Sequence, residues 1–219
     1  MRGHSFIQRE LSVPQSTGPW NEIFKQGGRV FTEPHEDMPR VVQLLKSRGG
    51  HTILDLGSGT GRHIVYFARN GFSVFGLDNS PEGLQATRQW LREEGLDAHL
   101  WLQNMTEKLP YEESFFDAVV SVQVIHHADM ATIRMIVHEI GRVLKPGGFL
   151  FATVPKLKNQ GERFEQIEPN TFMPLDGREK GLPHHYFTPE ELREVFGTFD
   201  VAEIHLDRVN HYCLSAFKP

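Results

Sequence analysis

The chain has 219 residues, a hydrophobic fraction of 39% and 20 glycines, the composition of a globular protein expected to fold as one domain around one large core. With 23 Lys and Arg against 28 Asp and Glu, the net charge is −5 and no block of like charges occurs, so whole-molecule attraction to a phosphate backbone is excluded and nucleic acid is not the expected partner. The apolar runs, such as Phe149 to Ala152 and on to Val154, are far below the ~18 residues of a membrane span. The first thirty residues hold no secretory pattern and Cys213 stands alone, so a cytoplasmic location with no disulfide and a packed, inert thiol is expected.

Residues 1–50 are polar and turn-rich, with Pro14, Gly18, Pro19, Gly27, Gly28, Pro34 and Pro39, and read as an N-terminal extension ending in a helix over Val41 to Lys46. From 52 to 154 strand and helix patterns alternate, the signature of a parallel sheet covered on both faces. Strands are expected at Thr52 to Leu56, Ser73 to Asp78, Ala98 to Gln103, Phe115 to Val122 and Phe149 to Val154. Ser80 and Pro81 supply the cap and first-turn proline of a helix running to Glu94 and stopped by Gly95. Asp129 caps another, whose apolar residues Ile133, Val137, Ile140 and Leu144 fall on one face. Lys145-Pro146-Gly147-Gly148 reads as a helix stop and tight turn.

Residues 155–187 break the rhythm, with four prolines and no periodicity. A segment longer than the ~12–15 residues of an ordinary loop is functional or contains small elements of its own. Thr188-Pro189-Glu190-Glu191 then forms a capping box for a helix to Phe196, and Val201 to Leu206 and Tyr212 to Phe217 close the chain as strands.

The sharpest local feature is Leu54-Asp55-Leu56-Gly57-Ser58-Gly59-Thr60-Gly61, an apolar strand running into three glycines spaced by two. Glycine is required where backbone turns at positive φ and where a ligand approaches the main chain. A dinucleotide loop needs G-x-G-x-x-G, and its third glycine falls on Arg62. Asp55 opposes a pyrophosphate but suits a ligand carrying positive charge. Asp78 ends the next strand, where this topology puts an acid on ribose hydroxyls, although an Asp capping the following helix is the alternative. Asn104, past the third strand, either meets an adenine edge or forms a turn.

With these motifs the sequence resembles the class I S-adenosylmethionine-dependent methyltransferases over residues 52–154. The resemblance rests on Asp55-x-Gly57-x-Gly59-x-Gly61, Gly76-Leu77-Asp78-Asn79-Ser80, the segment Asn104 to Pro110, Phe116-Asp117-Ala118-Val119-Val120-Ser121 and Leu144-Lys145-Pro146-Gly147-Gly148. It implies an α/β, three-layer Rossmann-like fold whose seven-stranded, mostly parallel sheet has an antiparallel last strand. It also implies S-adenosyl-L-methionine as cofactor: the loop Asp55, Gly57, Ser58, Gly59 and Gly61 with its methionine part, Asp78 and Asn79 with the ribose, Asn104 and the Met105 backbone with the adenine, and Ser121 on the fourth strand beside them. Asn104 departs from the Asp that many members carry.

Methyl transfer from a sulfonium is an in-line displacement in which positioning supplies much of the acceleration, and a base is required only where the acceptor has a proton to lose. His126 and His127, after the fourth strand, are the titratable groups nearest the expected methyl; cap or loop roles are the alternative. His185, with His184 and Tyr186, is expected to line a pocket for a small-molecule acceptor, so that alanine at His185 would lower turnover but spare cofactor affinity. Trp20, Phe24, Arg29 and Phe31 either fold over the cofactor, with Arg29 on the methionine carboxylate, or pack on the core. H-E-x-x-H and cysteine pairs are absent, so no metal is expected, and the serine-hydrolase and phosphate-loop signatures are absent too. A tRNA or protein acceptor, or a cofactor-binding module without turnover, is the competing functional reading.

Overall fold

The structure, a computed structural model, describes residues 18–157 and 163–219; the parts of the N-terminal extension and of the irregular segment that fall in 1–17 and 158–162 lie outside the described residues. In chain order the elements begin with α1 (Pro19–Gly27), α2 (Met38–Ser47), β1 (Thr52–Leu56), α3 (Arg62–Arg69), β2 (Ser73–Asp78), α4 (Pro81–Glu94), β3 (His99–Leu102) and β4 (Phe116–Val122). They continue with α5 (Met130–Val143), β5 (Leu144–Pro155), β6 (Phe164–Glu168), β7 (Thr171–Pro174), β8 (His184–His185), α6 (Pro189–Val195), β9 (Asp200–Leu206) and β10 (His211–Phe217).

Seven strands form one sheet in the order β3-β2-β1-β4-β5-β10-β9, in which β10 alone runs antiparallel to its neighbours. The expected architecture is therefore the observed one, including the antiparallel last strand. Strand periodicity explains the three layers. Leu54, Leu56 and Val119 point to a core with Ile133, Ile140, Leu192 and Phe196 of α5 and its neighbour α6. The alternate residues Ile53, Ala118 and Val120 point to a second core with Val41, Leu45, Ile64 and Phe67 of α2 and α3.

Caps act as the sequence predicts. The Ser80 hydroxyl accepts from the Gly83 N–H at 3.0 Å, Asp129 accepts from the Thr132 N–H at 2.8 Å, and Thr188 accepts from the Glu191 N–H at 3.2 Å. β5 starts earlier than expected, at Leu144, because Lys145 to Gly148 bulge out between the Phe116–Leu144 and Ala118–Phe149 pairings, with Gly147 at positive φ. The turn-rich extension contains α1, begun by Pro19 at its first turn and buried through Phe24 and Asn21. The irregular segment contains a three-stranded antiparallel sheet, β6-β7-β8, hung on the main body by hydrogen bonds from His185 N–H to the His126 carbonyl and from Met130 N–H to Glu168.

At the amino end of the main sheet, Asp117 joins β4 to the start of β1. Its carboxylate accepts from the N–H groups of His51 and Thr52 at 2.9 and 2.8 Å and from Lys145 Nζ at 2.6 Å. These bonds outweigh its partial burial and hold its pKa well below the usual carboxylate range. Among the described residues no helix is long and apolar enough to cross a membrane.

Candidate functional site

The carboxyl ends of β1, β2, β3 and β4 open onto one cavity, where ligands bind in open parallel sheets. Gly57, Ser58 and Gly59 after β1, Asp78 and Asn79 after β2, Asn104 and Met105 after β3, and His127 after β4 all line it. α1 supplies Trp20 and Phe24, and Phe31 follows, so the aromatic residues of the extension do form a wall over the glycine loop. α1 is fastened there by Asn21, whose side-chain oxygen accepts from the Ser80 hydroxyl at 2.8 Å and from the Glu82 N–H at 3.2 Å.

The loop takes its shape from three left-handed glycines, and at two of them no other residue fits. A Cβ at Gly57, φ +75, would meet the Val124 side chain at 2.3 Å, and one at Gly61, φ +88, would meet Thr87 at 2.6 Å. Asp78 clamps the loop from below: Oδ2 accepts from the Gly59 N–H at 2.7 Å and Oδ1 from the Ser80 N–H at 2.8 Å. The helix cap is Ser80 and not Asp78, and because a carboxylate has about four acceptor positions, two of those on Asp78 remain. Burial raises its pKa against the pull of those N–H bonds.

Other expected site residues lie elsewhere. Asp55 is buried behind the loop, 3.9 Å from His63 Nδ1, with Oδ2 unpartnered; burial, despite the Arg62 charge, pushes its pKa up to about 7. Ser121 donates to the Leu56 carbonyl at 3.0 Å and so ties β4 to β1 rather than facing the cavity. Gly61 caps α3. Arg29 departs from the methionine-side position expected for it: it pairs with Glu93 at 2.7 Å and lies 5.0 Å over the Trp90 ring on the outside of α4. His185 departs from its expected pocket as well. Only 1% exposed, it is held by Thr171 Oγ1 at 2.7 Å and lies 3.2 Å from Glu191, inside the small sheet. His126 is buried behind His127 with ring centroids 4.0 Å apart, and Tyr186 is buried beside Phe172.

Residues the sequence reading passed over complete the cavity. Arg62, read only as a missing glycine, lines it with its guanidinium 5.2 Å from the Phe31 ring. Gln123 sits at φ +60 after β4, a strained conformation for a side-chain-bearing residue, fixed by bonds from its N–H to Thr153. Asn104, which the sequence did single out, forms the expected turn by spending its side-chain oxygen on the Thr106 N–H at 3.1 Å, and its amide N–H groups remain as donors.

These residues fit a cofactor that is cationic at one end and carries a ribose. The Ser58 hydroxyl and Asp55 Oδ2 are buried and unpaired beside a glycine loop that excludes side chains. A pH dependence follows from Asp55. Its folded pKa of about 7 lies above the ~3.9 of an unfolded chain, so its contribution to the stability of the ligand-free protein is full below pH 4 and is lost as pH rises through 7. Urea midpoints measured from pH 5 to 8 should fall less steeply for Asp55→Asn than for wild type, and parallel slopes would remove the assigned shift.

Comparison with known proteins adds family to geometry. Residues 53–148 match the family model described as a methyltransferase domain. An uncharacterized methyltransferase of Synechocystis is 36% identical over 105 residues, 48% of this chain and 47% of that protein. The chain thus spans about half the length of the curated relatives it matches. Among solved structures, a methyltransferase from Methanosarcina mazei superposes with TM-score 0.71 at 24% identity, covering 85% of this chain and 98% of that one. A Burkholderia thailandensis N1-methyltransferase of 1,6-didemethyltoxoflavin, solved with its substrate and S-adenosylhomocysteine, gives 0.66 at 18% identity, covering 95% and 93%.

Proposed function

We propose that this chain, which belongs to the class I S-adenosylmethionine-dependent methyltransferases through its residues 53–148, transfers a methyl group to a small-molecule acceptor. One observation carries the reading: the cavity lined by the glycine loop and Asp78 is also walled by Trp20, Phe31, Leu182 and His127, groups beyond those a cofactor of this kind requires. When bound, S-adenosylmethionine supplies an electrophilic methyl on a sulfonium sulfur.

The chain's own residues divide the remaining work. Asp78 offers its two free acceptor positions to the ribose hydroxyls, and the Asn104 amide donates to the adenine. Arg62 takes the carboxylate role that Arg29 does not reach. The aromatic wall of Trp20, Phe24 and Phe31 excludes water from the site and strengthens each of these contacts. Of His126, His127 and His185, His127 lines the cavity; burial pushes its pKa down to about 4, so it is a neutral imidazole at neutral pH. His126 and His185 stand behind it. The net charge and the largely aromatic wall favour a small molecule over tRNA, and the Burkholderia neighbour, whose substrate is a small heterocycle, fits that reading.

The test is release of S-adenosylhomocysteine with a small-molecule panel, bulk tRNA and a protein extract, beside calorimetry with the cofactor and with NAD. Product with a member of the small-molecule panel, and cofactor binding without NAD binding, are expected. Product with tRNA or protein alone would move the acceptor class, and tight binding with no product on any arm would make the chain a binding module.

A further inference from the structure

A base for an acceptor proton requires one imidazole, whereas three converge beside the cavity. His126 and His127 follow β4, and His184 opens β8, 57 residues after the nearer of them. Their side-chain nitrogens can be chosen so that all lie within 4.8 Å of one another. The rings of His127 and His184 meet edge to face with centroids 4.6 Å apart, and those of His126 and His184 lie 5.8 Å apart. The two segments are locked together by the 2.8 Å bond from the His185 N–H to the His126 carbonyl, so the convergence is built into the backbone.

We propose that His126, His127 and His184 form a site for a divalent first-row metal ion, zinc above all, with its open side toward the cavity. Three neutral imidazoles with a free position are a zinc-type ligand set. Around zinc at ~2.1 Å, nitrogens stand roughly 3.4 Å apart, so closing the site asks for ring rotations that move atoms by little more than an ångström.

The hydrogen bonding around the cluster favours an ion over simple ring packing. Nδ1 of His126 and Nδ1 of His127 are both buried without a partner, a deficit that a bound ion would fill. His184 Nδ1 lies 2.8 Å from the Leu182 carbonyl, which can only accept, so Nδ1 carries the proton and Nε2 is the nitrogen left to bind an ion. This is the outer-shell arrangement that orients metal-bound histidines. Nε2 lies 3.1 Å from Glu179 Oε2, a contact it would exchange for the metal.

A second cluster, His35, Asp37 and Cys213, also has ligand atoms within 4.8 Å, but it is already satisfied. His35 Nδ1 accepts from the Asp37 N–H and its Nε2 meets Asp207, while burial keeps the Cys213 thiol protonated. In the cavity-side site, resting on the function proposed above, an acceptor hydroxyl or thiol held at the open position would give its proton to solvent and use the electron pair to form the bond to the methyl, while the methyl–sulfur bond breaks and its pair stays on the sulfur of S-adenosylhomocysteine. A base at His127 is then unnecessary, because its lone pair is on the metal.

The experiment is zinc titration of the chelator-stripped full chain against a chromogenic competitor, with metal content by mass spectrometry. One equivalent is expected for wild type and for Cys213→Ser. His126→Ala and the rim variant His184→Asn should each weaken zinc more than tenfold, with circular dichroism unchanged for at least His184→Asn. Cobalt should give visible bands with no thiolate charge-transfer band. No stoichiometric zinc in wild type, wild-type affinity in His184→Asn, or a thiolate band lost in Cys213→Ser would each overturn the site. Zinc content is read without turnover, so failure of the metal site and failure of methyl transfer are separate results.

Discussion

Replacing Asp78 by alanine should weaken S-adenosylmethionine binding by at least 10- to 100-fold while leaving a folded protein. Each hydrogen bond to a charged acceptor is worth about 1.5–3 kcal/mol, which is roughly that factor in Kd. The loss has two sources, because the carboxylate also holds the Gly59 and Ser80 N–H groups at 2.7 and 2.8 Å. Asp78→Asn separates them. It keeps an acceptor for one of these amides but sets an N–H group against another donor, so its affinity should fall between wild type and alanine. Calorimetry on both variants, with thermal melts of the ligand-free forms, decides it. An alanine variant that melts lower but binds with unchanged Kd would confine Asp78 to holding the loop.

Gly57→Ala should be the most damaging small substitution in the site. The left-handed conformation costs a side chain about 1–2 kcal/mol, and overpacking adds about 1–3 kcal/mol. Val124 must give way at 2.3 and 2.5 Å, and it stands three residues before His127. The ligand-free protein should therefore lose roughly 2–5 kcal/mol in urea unfolding, and cofactor binding should fall below detection. Adding Val124→Ala removes the two nearest atoms and should return part of the stability but not the φ cost. Equal stabilities for the single and double variants would show that the overlap is relieved elsewhere.

The main sheet was legible because its signals are local. Thr52 to Leu56 and Ser73 to Asp78 are apolar runs bounded by turn residues, and Ser80-Pro81 and Asp129 are cap chemistries that act within one turn. α1 was not expected, because the prolines and glycines around it masked its signals, Gly18-Pro19 and the i, i+4 pair Trp20 and Phe24. The site was harder because facing is a tertiary property. His184 and His185 are neighbours in a strand, where successive side chains point to opposite faces. One therefore meets His127 while the other is enclosed with Thr171 and Glu191. The choice between Arg29 and Arg62 had no sequence signal, since it depends on which side of α4 the extension crosses.

Asp117 and Asp55 sit at opposite ends of the same pair of strands, and their acidities are displaced in opposite directions. The first favours the fold above the ordinary carboxylate range, and the second opposes it as pH approaches 7. Neither shares a partner with the other, so the two effects can vary independently over evolutionary time. A lineage can drift in the residues around the ligand, accept the destabilisation that a new specificity brings, and recover it at the far rim without touching the binding surface. The end of the sheet that has no contact with the ligand is thus what sets how far the other end is free to diversify.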